Sequence, residues 1–164
     1  MNLILHHNQL SWGNHIFPCT WGREGIRVEK EEGDGATPVG TFPFRRVFYR
    51  ADRIEKPETR LPLHALNQQD GWCDDVNDER YNQHVTLPYG GRHENLWRED
   101  HVYDLILVVG HNDDPVILGQ GSAIFIHLLR SEGAPTEGCV ALHPQNLLKV
   151  IKESTQNSAL VVIA

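Results

Sequence analysis

Hydrophobic positions fall in short clusters along this chain, and their period changes only near the C-terminus. Leu3-Ile4-Leu5 is a brief apolar run. Polar residues follow it, then Ser11-Trp12, so two short strands joined by a turn are predicted. Gly33-Asp34-Gly35 marks a turn. In Thr37–Phe44, Pro38, Gly40 and Pro43 exclude a helix, and the segment reads as an edge strand or an extended loop. Tyr103–Gly110 is mostly apolar and rich in β-branched residues, as a buried strand would be. Val116-Ile117-Leu118 reads as a second, shorter strand, and Ala123–Leu129 as another buried one. The period then becomes helical. Pro144 suits a first helical position, Leu147, Leu148 and Ile151 recur at helical spacing, and Lys149 and Lys152 lie outside them. Leu160–Ile163 closes the chain as a strand.

Between these elements, residues 52–101 are polar and rich in turn formers, with Trp72, Tyr89 and Trp97 as aromatic anchors. The stretch reads as a long loop-rich lobe with little regular structure, and long structured loops in compact domains are usually functional. The whole pattern, 1–164, predicts a mostly β, single-domain, sandwich- or barrel-like fold with one helix in the C-terminal region.

Composition narrows the function. The 164 residues are enough to bury a core without covalent staples. The formal charge is -7. The arginines and lysines are scattered, with no basic stripe interleaved with aromatics. No nucleic-acid partner is therefore expected, because phosphate neutralisation supplies most of that affinity. The three cysteines, Cys19, Cys73 and Cys139, are an odd number at wide spacing, unlike a disulfide framework. A free thiol fits a reducing compartment. The first apolar run is too short for a signal sequence, and no run has the length of a membrane helix. A cytoplasmic protein without a membrane partner is the expectation.

Candidate chemistry is concentrated late in the chain. Ser122-Ala-Ile-Phe-Ile-His127 places a histidine on a strand, and Thr136-Glu137-Gly138-Cys139 follows a linker. A thiol nucleophile needs a base, access, and backbone N–H groups for the oxyanion. His127 can be the base and Cys139 the nucleophile. Gly138 permits a sharp turn, so that the N–H groups of Gly138 and Cys139 could converge. Each residue also has a plainer explanation. Free cysteine is often buried in cores, and His127 shares a strand face with Phe125.

This arrangement resembles the L,D-transpeptidase catalytic domain (YkuD-like) family, which carries a strand histidine, a spacer, and Ser/Thr-His-Gly-Cys. Thr37-Pro38-Val39-Gly40-Thr41-Phe42 resembles the family's second motif, Thr-Pro-x-Gly-x-Phe, in the matching chain order. The resemblance covers nearly the whole chain, with residues 52–101 as a subgroup lobe. It implies a β-sandwich and a Cys139–His127 pair. The implied substrate is a peptidoglycan-derived tetrapeptide or muropeptide, attacked at the carbonyl of diaminopimelate with D-Ala leaving. Transfer of the thioester to water is L,D-carboxypeptidation, and transfer to an amine gives a 3-3 crosslink. No metal or organic cofactor is implied. Two positions depart from the family pattern. Leu128 stands where glycine usually follows the histidine, although its carbonyl can still orient the ring. Glu137 replaces the histidine before Gly-Cys, so it could hold His127 or another cation, and would disfavour a thiolate if close and charged.

Substrate contacts are less marked. Asp74 and Asp75 could meet the ammonium of diaminopimelate with Trp72 as a wall, or be a solvated turn pair. Thr136 and Glu137 lead into the nucleophile. Asn112, at a strand end, could line a cleft or simply turn the chain. A terminal carboxylate calls for a bidentate arginine, and Arg92, Arg98 and Arg130 are candidates. The ten histidines show no ligand spacing such as HExxH, so no zinc site is expected. Given the expected location, L,D-carboxypeptidation in muropeptide recycling is the leading function. An exported transpeptidase and a non-catalytic peptide-binding module are the alternatives.

Overall fold

The computed structural model describes residues 1–131 and 133–164. The elements in chain order are β1 (Leu3–His6), β2 (Gln9–Trp12), β3 (His15–Phe17), β4 (Cys19–Thr20), β5 (Ile26–Arg27), β6 (Thr37–Pro38) and β7 (Gly40–Tyr49). They continue as β8 (Leu63–Ala65), β9 (Asp70–Cys73), β10 (His84–Thr86), β11 (His93–Asn95), β12 (Leu105–Val109), β13 (Phe125–Leu128), β14 (Val140–Leu142), α1 (Pro144–Glu153) and β15 (Ala159–Val162). The main sheet runs β3-β2-β1-β15-β7-β12-β13-β14-β4, with β8 added beside β7. A second sheet, β10-β9-β11, forms the lobe, and β5 pairs with β6.

Alternation along the strands divides the interior into two cores. Phe42, Phe44, Val47 and Tyr49 of β7, Leu105, Leu107 and Val109 of β12, and Ile126 and Leu128 of β13 enter the larger core. Phe48, Ile106, Val108 and Phe125 point the other way, into a smaller core shared with Trp72 and Leu96 of the lobe. On β14, Val140 and Leu142 take the larger-core side. Cys139, just before β14, belongs to the smaller core. His127 alternates with Ile126 and Leu128, so it too faces the lobe.

Pro144 starts α1 at its N-terminal position, and Leu147, Val150 and Ile151 bury its inner face in the larger core. Full burial of each such side chain is worth about 1.5–3 kcal/mol. Leu148, expected on that face, is instead exposed, and Val150 takes the inward position. Trp12 Nε1 donates to Glu153 at 2.7 Å, tying the helix end to β2.

Three further expectations are corrected. Of the segment Thr37–Phe44, Thr37–Pro38 is an edge strand as expected, in the two-stranded β5-β6 sheet, but from Gly40 onward it is not an edge, because β7 lies inside the main sheet between β15 and β12. Pro43 is tolerated there beside an irregularity, where the β12 register shifts between Val108 and Val109. Val116-Ile117-Leu118 forms no strand; Ile117 and Leu118 are exposed in a loop held by the Asn112 side chain. Residues 52–101 carry more regular structure than their composition suggests, with β8 joined to the main sheet and β9–β11 forming a sheet of their own.

Candidate active site

The parallel β13–β14 register pairs Ile126 with Val140 and His127 with Ala141. Phe125 therefore lies beside Cys139, and His127 is its diagonal neighbour on the same face of the sheet. Both Cys139 and His127 line one cavity of about 230 Å³. Its other walls include Lys30, Glu32, Asp74, Glu94, Arg98 and Arg130, charges of both signs around a buried pair.

The turn from Thr136 to Cys139 is held by hydroxyls. Thr136 Oγ1 donates to the Cys139 carbonyl at 2.6 Å and accepts the Gly138 N–H at 3.1 Å. Thr37 Oγ1 donates to the Gly138 carbonyl at 2.8 Å and accepts the Gly22 N–H at 2.9 Å. Gly138 sits at φ +136°, and a Cβ there would come within 2.8 Å of the Ala36 carbonyl oxygen. Glycine is thus required both by conformation and by space. The expected convergence of two N–H groups is corrected in one respect, since the Gly138 N–H is already bound to Thr136.

The Cys139 thiol donates to the Ala123 carbonyl at 3.2 Å, and its sulfur accepts the Phe125 N–H at 3.3 Å. Burial pushes the thiol up to about 12, against the opposing pull of the Phe125 N–H. The His127 ring is also buried. Its Nδ1 is 2.9 Å from the Leu128 carbonyl oxygen, which makes Nδ1 the protonated nitrogen and leaves the Nε2 lone pair open. Burial depresses His127 to about 4, with Arg98 and Arg130 adding to the effect. At rest the pair is therefore a neutral thiol beside a neutral imidazole. Tyr103 meets the His127 ring edge-on at 5.4 Å and donates its hydroxyl hydrogen to Glu94. Burial raises the Glu94 carboxyl, the first cause of its shift.

The other sequence-selected residues separate clearly. Asp74 lines the cavity and pairs with Arg92 at 3.1 Å. Asp75 lies outside it and shapes a turn, accepting the N–H groups of Asn77 and Arg92. Trp72 does not line this cavity. It packs edge-on against Phe125 at 5.0 Å and donates Nε1–H to Asn82, because β9 turns it into the smaller core. Asn112 binds the Ile117 and Gly121 carbonyls and braces a loop away from the cavity. The hydroxyl of Thr136 serves the turn itself. Glu137 is exposed and pairs with Arg23 at 3.0 Å, so the cation it holds is not His127. Of the three arginines, Arg92 is bound to Asp74, and Arg98 binds Asp100 through two nitrogens. Arg130 has no ion pair among the described residues.

Sequence patterns missed Lys30, Glu32, Glu94 and Tyr103, which come to the cavity from distant parts of the chain. They also missed Asn82, a buried lobe residue. Its Oδ1 accepts from Trp72 and from the Ala123 N–H, and its Nδ2 donates to the His111 and Asn112 carbonyls. Ala123, whose carbonyl holds the thiol, has φ +52°, a strained value for a residue with a Cβ. Away from the cavity, His64, Asp70 and His84 bring two imidazoles and a carboxylate together, the one group of possible metal ligands among the described residues.

No curated protein matches this chain. The family description L,D-transpeptidase catalytic domain (YkuD) matches residues 7–163, which include both motifs, the lobe and the Cys139–His127 cavity. The chain thus belongs to the L,D-transpeptidase catalytic domain family, whose members are cysteine-dependent enzymes acting on peptidoglycan peptides.

Proposed function

We propose that this protein is an L,D-carboxypeptidase that removes the terminal D-Ala from tetrapeptide stems of soluble muropeptides. The observation that carries the reading is the small two-signed cavity around the neutral Cys139–His127 pair. Such a cavity suits the charged end of one stem, where diaminopimelate presents both an ammonium and carboxylates. Asp74 and Glu94 are placed for the ammonium, and Arg130 for a carboxylate. Water is the acceptor that needs least additional room.

In this mechanism His127 Nε2 takes the Cys139 proton as sulfur attacks the diaminopimelate carbonyl. The neutral resting pair couples proton transfer to attack, because a free thiolate is disfavoured in the buried site. The Cys139 N–H supports the oxyanion. As the tetrahedral intermediate collapses, His127 returns the proton to the D-Ala nitrogen, the C–N bond breaks, and a thioester remains. Water then attacks. His127 accepts its proton, the C–S bond breaks, and the proton returns to sulfur.

A cytoplasmic role in peptidoglycan recycling belongs to the same proposal. All three cysteines are free, which agrees with a reducing compartment. The test is mass spectrometry of a disaccharide tetrapeptide incubated with the protein, beside Cys139→Ala. Tripeptide and free D-Ala, absent from the variant, are expected. Dimers with 3-3 links, or exchange of D-Ala for an added D-amino acid, would make transfer the main activity and overturn the hydrolase reading.

A further inference from the structure

His64 on β8, Asp70 at the start of β9 and His84 on β10 meet outside the catalytic cavity. His64 Nε2 lies 3.0 and 3.1 Å from the two Asp70 oxygens. His84 Nε2 is 2.7 Å from Asp70 Oδ1. One donor atom from each residue falls within 4.8 Å of both others. Ligand atoms around a tetrahedral zinc ion, with bonds of about 2.0–2.2 Å, stand roughly 3.3–3.5 Å apart. A small outward movement of the imidazoles, with loss of their Nε2 protons, would therefore admit an ion.

The donors are already oriented. The Asn67 N–H holds Asp70 Oδ2 at 2.8 Å. The Phe48 ring flanks both imidazoles at 5.3 Å, and Trp72 stacks on His84 at 6.4 Å. Asp70 is buried, whereas the His64 side chain is 40% exposed, which leaves an entry path and room for a water ligand. Two imidazoles and one carboxylate without a thiolate suit a borderline first-row ion better than calcium or magnesium. Arg46 opposes this arrangement. Its half-buried guanidinium acts on both Asp70 and His84 and lies over the Phe48 ring at 4.9 Å.

We propose that His64, Asp70 and His84 form a zinc-class divalent cation site that ties the lobe sheet to the main sheet. His64 belongs to β8, paired with β7, while Asp70 and His84 belong to the lobe sheet, so one ion would bridge the two. The site is separate from Cys139 and independent of the reaction proposed above.

The experiment is calorimetric titration of the chelator-treated full chain with Zn2+, repeated with Co2+ and followed by visible absorption. A Cys139→Ala background removes the catalytic thiol as a competing ligand. One ion per chain is expected, with nitrogen/oxygen-type cobalt bands and a rise in Tm. His64→Gln should weaken binding by more than the roughly 10–100-fold typical of lost supporting contacts. His84→Gln should do the same, and Arg46→Gln should tighten it. His64 is partly exposed, so its variant is the one best able to keep the fold, which circular dichroism would check. No binding by the folded chain would overturn the site, leaving the trio as a hydrogen-bonded brace. Unchanged affinity in folded His64→Gln would overturn it equally.

Discussion

The strand pair β13–β14 and the lobe sheet β9–β11 contribute to one cavity in opposite ways. At the strand pair, the two side chains proposed as nucleophile and base bond to backbone: Cys139, just before β14, between the Phe125 N–H and the Ala123 carbonyl, and His127 on the Leu128 carbonyl. The lobe and its flanks supply Asp74, Glu94 and Arg98, charges joined to other side chains. The pair proposed for the chemistry thus rests on backbone contacts braced by a few buried hydroxyls and one amide, those of Thr136, Thr37 and Asn82, while the charges proposed for recognition can change one at a time. Asn82 connects the two regions, reaching from the lobe to the Ala123 N–H.

The largest effect should come from the strand pair. Cys139→Ala and His127→Ala are each expected to lower D-Ala release by at least about 10³–10⁴-fold, with folding intact by circular dichroism. A variant retaining substantial turnover would remove the reactive role from β13–β14. Next comes the connection. Asn82→Ala orphans the Trp72 and Ala123 donors and should destabilise the chain by about 2–4 kcal/mol in denaturant unfolding. It should also lower kcat more than it raises KM. A pure KM effect would show that the lobe binds substrate without positioning the thiol.

The pH dependence sharpens the same contrast. His127 is depressed from 6.5 to about 4 by burial, so the unfolded chain takes up a proton first on acidification. Its stabilising contribution is complete above pH 6.5 and declines as pH falls toward 4, by about 3 kcal/mol in all. Unfolding of the wild type and of His127→Gln at pH 7 and pH 4.5 would measure it; identical slopes would contradict a buried neutral imidazole. The Cys139 thiol, pushed up to about 12, should alkylate slowly at neutral pH in the absence of substrate. Rapid labelling at pH 7 would reveal a resting thiolate. The smallest effect is expected at Glu137. Its pair with Arg23 is exposed, so Glu137→Gln should leave the midpoint of denaturant unfolding nearly unchanged.

Strong periodicity made several elements legible in advance. The β1–β2 hairpin, β12, β13, α1 and β15 all follow from runs in which burial dictates residue type. That Cys139 and His127 would lie together was legible because thiol, glycine and strand histidine recur together in the family, and both line one cavity. The lobe was opaque for a physical reason. Its strands have only three or four residues, and Asp70, His84 and His93 satisfy one another or nearby backbone instead of filling a core. Trp72 lies beneath the Cys139–His127 cavity instead of lining it, and the sequence does not tell these apart because burial beneath a site and exposure within it draw on the same residue type. The Glu94–Tyr103 pair and the His64–Asp70–His84 trio depend on strand pairing between segments that carry no local signature. Val116–Leu118 misled in the opposite sense, since its apolar residues lie on an exposed loop.

The hydrogen bond from the Cys139 thiol to Ala123 bears on the lifetime of the thioester proposed above. Once sulfur is acylated it has no hydrogen to donate, and the Ala123 carbonyl loses its partner beside a buried site. Its backbone is already strained at φ +52°. Intact-mass spectra during turnover should accordingly show mostly unmodified chain, and a dominant acyl adduct would contradict this. In the proposed cycle, release of the peptide would restore the bond that acylation removed.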